Sequence, residues 1–424
     1  MNVKVFKFGG ASVKDAPAIE NLCSILRRYP NEPLVVVISA MGKTTNFLER
    51  VLTAYYETPS EVPALVEELR RQHESVLRQL LPDPANVLAS LEDLFQQLRV
   101  RLSVSPSQNY DYDYDQIVSF GELLSTTLIS GYLNQMGVAN LWLDARRLMR
   151  TDATFREGRI DWEVTSQQVS AAMMPTLQKG GVVLTQGFVG GTAENLATTL
   201  GREGSDYSAA IIAHVLDAES VTIWKDVPGL LNADPKRFSD AVKLDRIPYE
   251  EALELTFYGA SIIHPKTLKP LQNKHIPLYV KSFFHPEKEG SVITNCRLST
   301  DVPSYIVKDN QVLLTLFPKD FSFMGVENLS NIFALLAHYR VKINMMQNSA
   351  LSFSICTDNV GNRLKKCIAE LRKSYKVKYN DPVQLITIRH HTPEAVEKAV
   401  GGKKVLMRQT SRATMQFVVL QGNV

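Results

Sequence analysis

Apolar and polar positions along the chain fall into two regimes. Through residue 290, short apolar runs of strand length alternate with longer stretches of helical period. A short run, Val3-Lys4-Val5-Phe6, begins almost at the first residue. Leu34-Val35-Val36-Val37-Ile38-Ser39 is continuously apolar and rich in β-branched residues, as a strand buried on both faces of a parallel sheet reads. Val182-Val183-Leu184-Thr185-Gln186-Gly187, Val221-Thr222-Ile223-Trp224 and Ile276-Pro277-Leu278-Tyr279-Val280 have the same character. Helical patterns cover 16–29, 116–136, 165–178 and 207–215. Two further helices fill 62–103, divided at Leu81-Pro82-Asp83-Pro84, as a helical insertion at the edge of the sheet. The alternation predicts an α/β architecture, an open and mostly parallel sheet sandwiched by helices.

After Pro286-Glu287-Lys288-Glu289-Gly290 the pattern changes. A strand at 312–317, a helix at 330–339, strands at 342–346 and 351–357, a helix at 363–374 and a strand at 376–379 follow in order. This is the ferredoxin-like α+β sequence of elements. A second pass is shorter, with a strand at 383–389, a helix at 393–400 and strands at 405–408 and 415–420. Its closing helix is missing. The expected domains are therefore 1–290, a small domain at 303–380 and a truncated second one at 381–424. A sheet that short does not bury its own face, so the second copy is expected to pack on its sibling or on another subunit.

Composition narrows the function classes. A chain of 424 residues exceeds one ordinary core, and about two to three domains are expected. The formal net charge of +3 carries no polybasic signal, so nucleic acid and anionic membrane are not expected partners. No apolar run reaches the roughly 18–20 residues of a membrane helix, and the first residues carry no secretory pattern. The four cysteines (Cys23, Cys296, Cys356 and Cys367) are widely separated, with no C-x-x-C. That argues against a disulfide framework or a zinc site, leaves no metal-ligand set to nominate, and fits a reducing cytoplasm.

Candidate chemistry collects where predicted strands end. Lys7-Phe8-Gly9-Gly10-Ala11-Ser12-Val13 places a lysine, two glycines and a serine after the first strand. Glycines let backbone N–H groups approach an anion, and lysine adds a compact charge. The same residues would also serve as an ordinary strand–turn–helix corner. Ser39-Ala40-Met41-Gly42-Lys43-Thr44-Thr45-Asn46 imitates the tail of a P-loop. The earlier glycine that a P-loop needs is replaced by Val37, so the segment reads as a helix start that favours an anion. Glu122 follows Phe120-Gly121 and would suit a substrate ammonium group, although a solvated glutamate is the default. Thr198-Thr199-Leu200-Gly201-Arg202-Glu203-Gly204-Ser205-Asp206-Tyr207 puts an arginine fork, suited to a carboxylate, beside two candidate helix caps. Asp226-Val227-Pro228-Gly229-Leu230-Leu231, with Asp234-Pro235-Lys236, and Tyr258-Gly259-Ala260-Ser261-Ile262-Ile263-His264-Pro265 are turn-rich loops of the same kind.

Taken together these stretches resemble the aspartate kinase (aspartokinase) family of the amino-acid kinase superfamily. The K-F-G-G-A-S-V start, G-R-x-G-S-D-Y, D-V-x-G…D-P and Y-G-A…H-P occur in its order and spacing, followed by paired C-terminal ACT domains. The resemblance implies the amino-acid kinase fold and ATP-dependent phosphorylation of the β-carboxylate of L-aspartate to 4-phospho-L-aspartate, a first step toward lysine, threonine and methionine. Lys7 then stabilises the phosphoryl group in flight and Asp206 organises that lysine. Thr45, Glu122, Arg202, Gly204 and Ser205 fall at aspartate-binding positions. Gly9, Gly10 and Ser39 line the phosphate path, and Lys225, Asp226, Leu231, Lys236, Ser261 and Ile262 fall at nucleotide positions. The resemblance further implies ATP as co-substrate with Mg²⁺ bound mainly through it, a homodimer or higher homo-oligomer, and an amino-acid effector at Met324, Asn344, Asn348 and Ser349. No general base is required, because a carboxylate with a pKa of about 3.9 is already ionised at neutral pH.

The chain departs from the family pattern at Lys225, Leu231, Lys236 and Ser261, where Thr, Tyr, Arg and Lys are usual. At the effector segment, Asn344 and Ala350 stand where Asp and Glu are usual. The competing readings are a kinase for another small carboxylic acid and an effector-binding sensor built on a kinase fold. A fused homoserine dehydrogenase is not expected, since nothing resembling a dinucleotide-binding domain follows.

Overall fold

A computed structural model describes residues 2–260, 263–297, 302–320 and 322–421. They divide into two compact units. The first gathers Met1–Leu230, Lys243–Leu253 and Ile262–Leu298. The second gathers Leu231–Val242, Glu254–Ser261 and Ser299–Val424. The expected span 1–290 is thus interrupted twice by segments that pack with the C-terminal region.

The first unit is built on an eight-stranded sheet. Its order is Arg246–Pro248, Ser291–Thr294, Leu278–Ser282, Ser220–Lys225, Lys4–Phe8, Leu34–Ile38, Val182–Gln186 and Asn140–Leu143. All neighbours are parallel except Leu278–Ser282 against Ser291–Thr294. The central strands are the β-branched runs of the sequence, and Leu34–Ile38 is buried at every position.

Alternation along Lys4–Phe8 sorts its side chains between two faces. Phe6 and Phe8 enter a large apolar cluster that includes Trp224 and Phe283, with Phe8 stacked on Trp224 at 6.0 Å. Helices Ala16–Leu26, Thr44–Glu57, Val62–Leu80, Ala85–Leu102 and Phe120–Gln135 supply most of the rest of that cluster. Val5 and Lys7 point to the other face, where helix Gly204–Val215 packs on this strand. The register therefore aims the lysine at the helix that carries Asp206.

One expectation shifts in detail. The helical run at 116–136 is two helices, Tyr110–Val118 and Phe120–Gln135. The ladder loosens at Ser119, where the bonds Ser119 N–H to Asp115 O and Leu123 N–H to Ser119 O both stretch to 3.4 Å. A small hairpin, Val189–Gly191 with Ala197–Thr199, precedes the Arg202 loop.

The second unit holds a six-stranded antiparallel sheet ordered Ile343–Asn348, Phe353–Asp358, Ser304–Pro318, Tyr375–Arg389, Thr414–Leu420 and Val405–Thr410. The two fifteen-residue strands run through both halves. One half uses Gln311–Pro318 and Tyr375–Val383, with helices Val326–His338 and Asn362–Ser374 over Leu314, Leu316 and Ile355. In the other half, Ser304–Lys308 pairs with Leu385–Arg389 and takes the outer-strand place that the abbreviated second pass lacks. Helix Pro393–Val400 covers part of that half. Phe238 and Ala241 cover more of it, with Phe238 stacked on Tyr305 at 4.7 Å. Segment 231–242 so fills room that the missing helix leaves open.

Candidate active site

Three strand ends and three helix starts contribute residues. Lys7 leaves strand Lys4–Phe8, and its Nζ lies 2.6 Å from Asp206 Oδ1. The side chains are 11% and 4% exposed, so the pair is sheltered but the lysine keeps an open side. Asp206 sits in the first turn of helix Gly204–Val215. A carboxylate there is favoured by the helix dipole and holds the ammonium in place.

Behind the lysine, the chain turns through Gly9 and Gly10. A Cβ on Gly10 would lie 2.8 Å from Gly42 O and 2.9 Å from Ala40 O, so only glycine allows this approach. Gly42 N–H donates to Gly10 O at 3.1 Å, and Ser39 N–H donates to Phe8 O at 3.1 Å. The two Gly-containing turns are thereby tied side by side at the C-terminal ends of adjacent parallel strands, where ligands of open α/β sheets collect. Ser39 O also accepts from Ser125 Oγ at 2.6 Å. Thr45 lies half-buried in the first turn of helix Thr44–Glu57.

Glu122 is 2% exposed, in the first turn of helix Phe120–Gln135. Its Oε1 accepts from Ala40 N–H at 3.3 Å, and its Oε2 has no partner among the described residues. Burial pushes its pKa up to about 8, opposed by the Ala40 bond and by the charge of Lys7. A buried carboxylate with one oxygen unmatched suits an incoming ammonium group.

Arg202 projects from the loop before helix Gly204–Val215, exposed and without an ion pair among the described residues. Glu203 is left-handed, with φ 55°, and turns the chain into the helix. Gly204 packs against Phe188 so closely that a Cβ would lie 2.7 Å from the ring. Ser205 is buried beside it. Lys225 ends strand Ser220–Lys225, and Asp226 follows it, exposed.

Leu231 and Lys236 belong to the second unit, where Lys236 N–H donates to Asp234 Oδ1 at 2.9 Å. Ser261 and Ile262 fall outside the described residues. Met324 is 4% exposed in the C-terminal core. Asn344 is engaged on both sides: its Nδ2 donates to Gln311 and Asp358 at 2.8 and 2.9 Å, and its Oδ1 accepts from Lys308 at 3.0 Å. Asn348 and Ser349 are exposed.

Sequence reading missed the acids of helix Tyr110–Val118. Asp113 receives Tyr56 and Ser107 N–H at 2.6 and 2.7 Å and pairs with Arg101. Asp115 receives Thr199 Oγ1, Thr199 N–H and Arg156 N–H at 2.7, 2.9 and 2.8 Å. A signal was available in Tyr110-Asp111-Tyr112-Asp113-Tyr114-Asp115. A helix turns about 200° over two residues, so acids at that spacing do not share one solvent face.

Known proteins of similar sequence and fold fall in one family. Residues 2–282 match the model of the amino acid kinase family. The lysine-sensitive aspartokinase 3 of Escherichia coli K12 is 32% identical over 363 residues, covering 85% of this chain and 79% of that one. The chloroplastic aspartokinase 1 of Arabidopsis thaliana is 32% identical over 84% of this chain and 63% of its own length. Among solved structures, E. coli aspartokinase III in complex with aspartate and ADP superposes with a TM-score of 0.84 at 28% identity, covering 99% of this chain and 96% of that one. The chain belongs to the amino acid kinase family and, within it, to the aspartokinases.

Proposed function

We propose that this chain transfers the γ-phosphoryl group of ATP to the β-carboxylate of L-aspartate, giving 4-phospho-L-aspartate and ADP. The observation that carries the reading is the sheltered Lys7–Asp206 pair beside two Gly-containing turns, with Glu122 buried nearby. A β-carboxylate oxygen attacks the γ-phosphorus, the bond to the bridging oxygen breaks, and ADP leaves with the electron pair. No proton moves, because the attacking carboxylate is ionised at neutral pH. The task is to bring two anions together, so catalysis is positioning and charge stabilisation.

In this reading Lys7 follows the phosphoryl group and Asp206 keeps Lys7 aimed. Glu122 receives the substrate ammonium, Arg202 clamps the α-carboxylate as a bidentate fork, and Thr45, Gly204 and Ser205 complete the aspartate pocket. Gly9, Gly10 and Ser39 face the phosphates, with Lys225 and Asp226 toward the rest of the nucleotide. Mg²⁺ would be held mainly by the phosphates of ATP and would supply positive charge there.

A homo-oligomer of cytoplasmic type and an amino-acid effector at the C-terminal unit belong to the same reading. Support for the effector is the likeness to E. coli aspartokinase III in complex with lysine and aspartate, which has a TM-score of 0.83 at 29% identity. Engagement of Asn344 by Lys308, Gln311 and Asp358 argues for an effector grip unlike that of lysine-sensitive relatives.

The test is ADP release by the purified chain with ATP, Mg²⁺ and L-aspartate, with L-glutamate and succinate as controls, and with lysine or threonine added. Aspartate-dependent release is expected. Release that ignores aspartate, or prefers another acid, overturns the assignment.

A further inference from the structure

Asp115 is fully buried, one of the charged side chains sealed inside the first unit. What it touches is a pair of loops. Its Oδ2 accepts Arg156 N–H at 2.8 Å and Thr199 N–H at 2.9 Å, and its Oδ1 accepts Thr199 Oγ1 at 2.7 Å. Arg156 is itself left-handed, with φ 68°, so its amide is turned toward the acid by a conformation that non-glycine residues rarely adopt. The two loops are joined beyond the acid as well. Gly158 N–H donates to Thr199 O at 2.8 Å, and Thr151 and Thr198 share a hydroxyl bond of 2.6 Å. Thr199 is three residues before Arg202, and Gly201 between them is left-handed, with φ 79°. A Cβ there would meet Arg156 O at 3.3 Å, so the Arg202 loop rests on the segment that Asp115 holds.

We infer that Asp115 is a positioning residue for aspartate recognition, fixing the base of the Arg202 loop through its bonds to Thr199 and Arg156. The inference rests on Arg202 being the clamp for the substrate α-carboxylate. Arg202 is exposed and has no ion pair of its own among the described residues, so nothing but its loop sets where the guanidinium starts. A long side chain on a loosened base forfeits the pre-organisation that makes a bidentate clamp effective.

The test is steady-state kinetics of Asp115→Asn, Thr199→Val and Arg202→Ala, with both substrates varied. Asp115→Asn keeps the shape and turns one acceptor into a donor facing an N–H. Loss of charge-assisted bonds of this kind is expected to raise the KM for aspartate about tenfold or more, with the KM for ATP within about twofold of the parent. Thr199→Val removes a single bond and is expected to give a smaller shift in the same direction, which keeps the test alive if Asp115→Asn does not fold. In the Arg202→Ala background, Asp115→Asn is expected to add nothing further to the aspartate KM, since the two act through one contact. Equal changes in both KM values, or full additivity with Arg202→Ala, overturn the positioning role. An Arg202→Ala enzyme with unchanged aspartate KM instead overturns the clamp on which it rests.

Discussion

Aspartate binding should release a proton, and the buried Glu122 sets how much. In the ligand-free site its pKa is raised to about 8 by burial, so at pH 7 it is mostly protonated. An ammonium group placed against its unmatched Oε2 favours the ionised form and lowers the pKa by about 3 units, as a close opposite charge does. With values of about 8 before binding and about 5 after it, affinity weakens about fivefold from pH 8 to pH 7 and nearly tenfold again to pH 6. Binding at pH 7 then releases about 0.9 proton per site. Isothermal calorimetry in two buffers of different ionisation enthalpy measures both quantities. Glu122→Gln serves as the control that removes the titration. A Kd that is flat from pH 6 to pH 8, with no proton released, would refute the placement of the ammonium group on Glu122.

The same linkage acts on stability in the absence of substrate. Between pH 4.5 and pH 8 the folded protein keeps a proton on Glu122 that the unfolded chain has lost. Stability therefore falls as pH rises across that window, by about 1.4 kcal/mol per unit, and Glu122→Gln should melt higher than the parent at pH 8 but not at pH 5. Lys7→Ala should lower kcat at least about 10³-fold with little change in aspartate affinity; because it strands buried Asp206, it should also cost about 3–5 kcal/mol in denaturant unfolding, and Lys7→Ala with Asp206→Asn should recover part of that. Gly10→Ala, whose Cβ meets two carbonyl oxygens under 3.0 Å, should destabilise by about 1–3 kcal/mol and raise the KM for ATP more than that for aspartate.

Much of this molecule is legible in its sequence because the hydrophobic period and the strand-end loops agree. Leu34–Ile38 is unmistakable as a two-sided buried strand, and helix Pro393–Val400 lies where Thr392 and Pro393 place its start. The Lys7–Asp206 pair follows from alternation once the two elements are known to be neighbours, but that neighbourhood is a long-range fact that no local pattern states. The outer-strand role of Ser304–Lys308 is hidden for the same reason, since its partner Leu385–Arg389 lies far along the chain. The spacing of acids in 110–115 shows that they cannot all share one solvent face, but not what they hold, because Thr199, Arg156 and Tyr56 come from three other segments. Glu122 could be nominated for its charge, but not for the burial that makes its proton movable.

The account turns on where the phosphoryl group goes. Trapping the product with hydroxylamine tests this most directly, because an acyl phosphate is converted to a hydroxamate that mass spectrometry can place on one carboxyl group. The purified chain with ATP, Mg²⁺ and L-aspartate is predicted to give the β-hydroxamate of aspartate in amounts that match ADP released. ADP formed without hydroxamate, or hydroxamate on the α-carboxyl group, would contradict it.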